Sequence, residues 1–307
     1  MGSKLSILAL KNLTRYRKRT VVTASAIAFG VMMYVGLDSV FHGFFIESDR
    51  NFAWYETGSA AVAARGYWDE RDEYPLNNAI EQPGTLLDTL DSAGIVAAPR
   101  LDFSGELIVR YDPFPEDGSA HVILHGVDTE RDAAVLRIQE SVVEGRFPAA
   151  GADEAIIGGW LADRLGAQVG FPVSVTTRTR DRFHQIIDLE IVGIYRTPKP
   201  TVDRASLFLP LDTADRILEM HGAVTRIVVA LPEPAPGRAD LAPLREAVTR
   251  HPDSAGLEIL GFDRLTEEFA EIVEMTDGFA VLFLGLLAVI AIVGISNTML
   301  MAVMERE

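Results

Sequence analysis

The chain has 307 residues, no cysteine and a formal net charge of −16. A chain this acidic lacks the basic face that nucleic-acid binding requires, and cysteine nucleophiles and disulfides are excluded. Mean hydropathy is slightly positive although 23% of residues are charged, so the apolar residues must be concentrated in part of the chain.

Residues 1–19 contain Lys4, Lys11, Arg15, Arg17, Lys18 and Arg19 and no acidic residue. Leu5, Leu8, Ala9, Leu13 and Tyr16 fall near helical spacing on another face. Two readings stay open: an amphipathic helix on the inner leaflet, or a plain extension of the helix that follows. Thr20–Leu37 then runs 18 residues without a charge, and Val40, Phe41, Phe44 and Phe45 extend the apolar character past Asp38. This length predicts a first transmembrane helix over residues 20–45. The bulky DSVFHGFFIESDR offers no small-residue signal-peptidase site, so the helix reads as an uncleaved anchor. Six basic residues before it place the N-terminus in the cytoplasm.

Residues 46–274 read as an extracytoplasmic α+β domain. Strand-like runs occur at 58–68, 95–101, 105–111, 121–127, 153–158, 172–177, 187–196, 206–211, 225–233 and 256–262, by alternation or short apolar content. Helical patterns occur at 83–94, with Pro near the start and Gly at the end, and at 159–167, 211–222, 238–252 and 264–278. WDERDEYP (68–75) reads as a charged surface loop, and PEPAPGRADLAP (232–243) as a hinge or loop. Residues 38–274 hold 21 Lys and Arg against 41 Asp and Glu, which agrees with an outer location.

No P-loop, G-x-S-x-G, H-E-x-x-H or G-x-G-x-x-G pattern occurs. His121 and His125 lie in a predicted strand, where residues four apart stand about 13 Å from each other. That separation defeats a shared zinc ion, and no catalytic residue or metal ligand is assigned.

Gly278–Met304 runs 27 residues without a charge, roughly 40 Å of helix, and predicts a second transmembrane helix over residues 275–304. A buried core helix is the alternative reading of either apolar run. Gly294, Thr298 and Ala302 repeat every four residues, and Asn297 adds an amide inside the span. A small-residue face with a polar group is the pattern of helix packing. Residues 305–307, Glu305-Arg306-Glu307, follow in the cytoplasm.

This order resembles the permease subunits of the lipoprotein-releasing and macrolide-exporter (MacB) type of ABC transporter, a group that includes the cell-division FtsX permeases. LALKNLTRYRKRT (8–20), residues 126–170 with their Gly-Arg, Glu-Ala-Ile-Ile-Gly and Leu-Ala-Asp-Arg-Leu-Gly segments, residues 191–218, and NTMLMAVMERE (297–307) carry the likeness. Gly170-Phe171 departs from the family's usual Gly-Asp. The resemblance implies a non-catalytic permease in the bacterial inner membrane, with a periplasmic α+β domain inserted between two transmembrane helices. It implies a separate ABC ATPase that uses ATP and magnesium, no cofactor bound by this chain, and a second permease as partner. It also implies coupling of ATP hydrolysis to the domain through Glu305, Arg306 and Glu307, for release of a lipoprotein or export of another hydrophobic substrate. Met32, Met33, Phe41, Met275 and Phe279 are candidate substrate-path residues, with lipid contact or helix packing as their other reading. Family members continue through a coupling helix and two further spans, so residue 307 is expected to fall inside that coupling helix. A two-span sensor with an extracytoplasmic ligand-binding domain is the alternative function.

Overall fold

A computed structural model describes residues 17–232 and 239–304. The chain forms two compact units, one of residues 1–47 with 267–307 and the other of residues 48–266.

Two long helices dominate the first unit: α1 (Arg17–Phe52) and α9 (Glu267–Met304). At 1.5 Å per residue they reach about 54 and 57 Å, beyond the roughly 30 Å hydrocarbon core of a bilayer. Ile27–Thr57 and Glu267–Gly294 are long and apolar enough to cross a membrane, with hydropathy of 1.4 and 2.4. Within this unit Tyr34 stacks near Phe283, with ring centroids 6.3 Å apart, and Phe45 meets Phe269 at 5.9 Å. A Cβ on Gly30 would come within 2.6 Å of Leu287 Cδ2. As one partner's number rises the other's falls, so the helices pair antiparallel. Ile27, Gly30, Tyr34, Leu287, Ala291 and Gly294 are half-buried, and their spacing of three and four residues is that of one helical face.

The second unit is built on ten strands: β1 (Ala60–Ala64), β2 (Val96–Val109), β3 (Gly118–Val127), β4 (Val142–Gly145), β5 (Glu154–Gly158), β6 (Pro172–Arg178), β7 (His184–Tyr195), β8 (Ser206–Pro210), β9 (Arg226–Ala230) and β10 (Leu257–Gly261). The pairings β2–β3, β3–β8, β8–β5, β5–β7, β7–β6 and β6–β2 return to their starting strand. Six strands therefore close a ring with no free edge. Alternate residues point inward and fill it, among them Leu101, Phe103, Leu107, Val122, Leu124, Val175, Leu189 and Leu207. The ring mixes directions: β3–β8 and β5–β7 are parallel, the others antiparallel.

From the first half of β2 the sheet continues through β9 and β1 to β10. Helices α2 (Pro83–Ser92) and α7 (Ala242–Arg250) cover one face of this extension. Leu86, Leu90, Leu244 and Val248 pack there on Val62, Ile227 and Val229. Pro83 starts α2 where no N–H partner is needed, and Gly94 after its end takes φ +71°.

The structure corrects the predicted elements at several points. Residues 95–101 and 105–111 form one 14-residue strand, β2, rather than two. At Gly105 a Cβ would strike Val175 Cγ1 at 2.7 Å, so the glycine permits close strand approach. Pro99 lies where β9 pairs with β2 before β3 begins at Arg100, an edge-like position that tolerates a missing N–H. Residues 68–75 keep Asp69, Glu70, Asp72 and Glu73 at the surface, as expected, but the segment is ordered rather than an irregular loop. Trp68–Glu73 is a 3₁₀ turn with Trp68 8% exposed. The helix predicted over 211–222 is α6, which ends at Leu218 because Glu219 turns left-handed. Strand β4 and the short helix α5 (Pro200–Ala205) were not expected, because four to six residues carry too little periodicity.

Candidate functional site: the roots of the two long helices

The second unit holds the last residues of the first long helix and the first residues before the second. After Phe52 the chain makes a π-helical turn, Ala53–Thr57, and enters β1. Strand β10 leads through a helical turn at Phe262–Leu265 to Thr266. Strands β1 and β10 are antiparallel neighbours, with Ala60 opposite Gly261. The two roots thus meet the sheet at the same end of adjacent strands.

The first root is held by rings and cations. The Arg137 guanidinium lies 3.7 Å from the Trp54 ring centroid and Arg50 lies 4.9 Å from it. The Arg137 backbone N–H donates to the Trp54 carbonyl at 2.8 Å, capturing a helix-end acceptor that lacks an intrahelical donor. On another side Lys199 Nζ sits 3.2 Å from the Phe52 centroid and against the Glu56 carboxylate. Burial pulls the Lys199 ammonium down to about 7. Tyr55 packs on a cluster of Val127, Ile138, Ile156, Tyr195, Val202 and Phe208.

Gly58 makes the passage into β1. Its φ is +67°, and a Cβ there would meet Val228 Cγ1 at 2.6 Å and the Val229 carbonyl at 2.8 Å. Only glycine fits both conditions. Ser59 then fastens the strand: its N–H donates to the Val229 carbonyl at 2.9 Å, and its hydroxyl accepts from the Leu231 N–H at 3.1 Å.

The second root is held by burial. Phe262, Leu265 and Thr266 are all below 9% exposed. The Trp68 indole N–H donates to the Arg264 carbonyl at 3.2 Å, and Arg264 pairs with Asp69 at 2.7 Å. Trp68 and Tyr67 pack with Ala61, Ala63, Leu260 and Leu265.

A buried charge network ties β2 to this assembly. Asp102 accepts from Arg226 Nε at 2.5 Å and from His125 Nδ1 at 2.6 Å. Burial opposes the Asp102 carboxylate, but Arg226, with His125 and Arg100 beyond it, holds its pKa well below the carboxylate range. Burial lowers His125 despite Asp102 beside it, so the ring is neutral and donates from Nδ1. Burial, with Asp102 nearby, pushes Tyr74 up to about 12. Arg100 and Asp132 form a second buried pair at 2.7 Å.

The sequence-derived candidates lie elsewhere. Met32, Met33, Phe41, Met275 and Phe279 are all exposed, between 43% and 63%. Gly294 falls on the face that Phe283 and Leu287 turn towards α1. Asn297, Thr298 and Ala302 lie within α9, but their side chains fall outside the described residues, as do Glu305, Arg306 and Glu307 altogether. His121 is exposed, whereas His125 joins Asp102. Sequence reasoning missed the roots. The available signals were Trp54 and Trp68, two of only three tryptophans, each next to a predicted element boundary.

The MacB-like periplasmic core domain family matches residues 20–250 of the chain. The chain belongs to this family. It is a MacB/FtsX-type ABC permease, with a mixed α/β periplasmic domain flanked by two helices of membrane-spanning length. The periplasmic region of MacB from Actinobacillus actinomycetemcomitans is similar over 69% of this permease and 92% of its own chain, with 11% identity and a TM-score of 0.46. The extracellular domain of the noncanonic ABC-type transporter YknZ from Gram-positive bacteria is similar over 66% and 99%, with 10% identity and a TM-score of 0.43. No curated protein matches the permease in sequence.

Proposed function

We propose that this MacB-like chain converts ATP hydrolysis by a separate ATPase subunit into motion of its periplasmic domain. The observation that supports this most is the pair of roots on adjacent strands. A shift of either long helix acts directly on β1 or β10, which share a hydrogen-bonded register over five residues. Strand β1 is also paired to β9 on its other edge and is buried along its whole length. A packed sheet of this kind does not absorb displacement locally and passes it on.

In this reading the N-terminus is cytoplasmic, the chain has no catalytic activity, and Glu305, Arg306 and Glu307 begin the segment that meets the ATPase. Gly294, Asn297, Thr298 and Ala302 pack helices within the bundle. A second permease completes the complex. The substrate is a lipoprotein or another hydrophobic molecule, which meets Met32, Met33, Phe41, Met275 and Phe279 on the exposed helix faces. The exposure of these apolar side chains suits contact with lipid or an acyl chain.

The test uses the complete transporter in liposomes with its ATPase. Residues 1–307 contain no cysteine, so a label pair at two cysteines engineered in the periplasmic domains, with any cysteine elsewhere in the complex replaced, reports their distance. ATP is expected to change that distance, and Trp54→Ala with Arg137→Ala to diminish the change without abolishing ATP hydrolysis. An unchanged distance between nucleotide-free and ATP-bound states would sink the proposal.

A further inference from the structure

The hairpin joining β6 to β7 differs from its surroundings in charge and in exposure. Residues 178–186 read RTRDRFHQI, three arginines to one aspartate, within a domain where acidic residues outnumber basic ones about two to one. Phe183 is 67% exposed and Ile186 66%. The Arg182 N–H donates to the Thr179 carbonyl at 2.8 Å, and the Phe183 N–H to Thr179 Oγ1 at 3.2 Å, so the tip is a tight turn. Arg180 pairs with Glu81. Arg178 and Arg182 are exposed and form no ion pair among the described residues.

Beside the hairpin lies a cleft of about 400 Å³ with the opposite character. The half-buried Leu211 and the exposed Ala150 contribute its accessible apolar floor; Asp128, Glu130, Asp212 and Asp215 line its rim. Backbone N–H groups hold three of these carboxylates: Glu130 and Arg131 donate to Asp128, Thr213 to Asp212, and Gly222 to Asp215, at 2.7–3.0 Å. None of the four carboxylates forms an ion pair with a lysine or arginine among the described residues. One helix, α6, touches both hairpin and cleft. Helix α6 (Leu211–Leu218) walls the cleft with its first turn and accepts the Arg180 N–H on the carbonyl of its last residue, at 2.9 Å. Val224, another lining residue, bridges to Ile80, whose neighbour Glu81 holds Arg180.

We propose that the hairpin of one copy docks in the cleft of a second copy of this chain, and the reverse, with Phe183 over the floor and Arg178 and Arg182 against the rim. This rests on the paired-permease reading above. A two-fold contact needs one patch that carries both complementary halves side by side, and this face does. An apolar centre with charged flanks is the anatomy of a specific interface. The charge match also answers a difficulty, because two domains this acidic repel each other unless opposite charges meet at the contact.

The experiment uses the full chain in membranes with its ATPase. One copy carries Phe183→Cys and one tag; the other carries Ala150→Cys, at a position lining the cleft, and a second tag. A short bismaleimide is expected to yield a product bearing both tags. Adding Arg178→Glu and Arg182→Glu is expected to lower its yield by about tenfold, and Glu130→Arg with Asp212→Arg on the other copy to recover most of it. Absence of that product while the two tagged copies still co-purify overturns the docking and leaves the paired permease standing. Failure of the copies to co-purify removes the paired reading itself. Capture of a different protein by the hairpin thiol, with no double-tagged product, overturns the second copy as occupant.

Discussion

The two roots sit on neighbouring strands yet are fastened by different physics. The first is gripped outside by Arg137 and Arg50 on Trp54 and, further in, by the buried Lys199 on Phe52. The second is sealed by Trp68, Phe262 and Leu265 in the interior. The exposed Arg137 over the Trp54 ring contributes roughly 0.5–1 kcal/mol, whereas a buried indole fills a fixed space. In the proposed mechanism the outer contact of the first root is the one expected to yield first, and the second root is expected to follow the sheet.

The largest effect should come from breaking the second root. Trp68→Ala is expected to cost about 3–5 kcal/mol of stability, visible as a lower urea midpoint for the purified protein; a loss below 1 kcal/mol would mean that the indole is not the seal. Gly58→Ala comes next, with about 2 kcal/mol lost to the left-handed backbone and the Val228 contact, measured in the same way. Arg137→Ala should cost only about 1 kcal/mol while altering coupling to ATP more than any variant of the second root, which a transport assay against matched urea curves would show. If Trp68→Ala uncouples and Arg137→Ala does not, the assignment of the movable root is reversed.

The smallest effect concerns acid. His125 and Asp102 both have folded pKa values below their unfolded ones, so the unfolded chain binds more protons as pH falls. Stability from His125 is present above about pH 6.5 and fades below it. That from Asp102 is present above about pH 3.9 and fades towards its depressed native pKa. Urea midpoints across pH should fall in two stages, and His125→Asn should lose the first while keeping the second. A flat profile between pH 7 and 5 in the unmodified protein would contradict a neutral, buried His125.

Much of this architecture was legible because period carries it. Alternation located β3, β6 and β7, proline and glycine marked both ends of α2, and charge-free length marked α1 and α9. The closed ring was not legible, since closure depends on β6 finding β2 more than sixty residues earlier in the chain and no local pattern encodes that partner. The fusion of β2 was hidden because residues 102–104, Asp-Phe-Ser, interrupt the two apolar runs, so they read as separate strands. The roots were hidden for a related reason. Trp68 stands at the head of WDERDEYP, where six charged or polar neighbours mask one buried ring, and Trp54 lies in a turn whose partners, Arg137 and Lys199, come from loops far along the sequence. Family resemblance supplied the class of protein; the residues that fasten its helices had to come from the fold.

Strand β1 also sets an order of events during synthesis. Its partners are β9, beginning at Arg226, and β10, ending at Gly261. Five small apolar residues, Ala60–Ala64, must therefore wait for some 160 further residues to be made and exported before either edge is covered. Pairings this distant in sequence form slowly, and an uncovered apolar strand invites wrong partners meanwhile. Newly made chains should depend on periplasmic chaperones until β9 arrives, and ribosome-stalled chains ending before residue 226 should be far more sensitive to protease in the segment around β1 than chains stalled after residue 261.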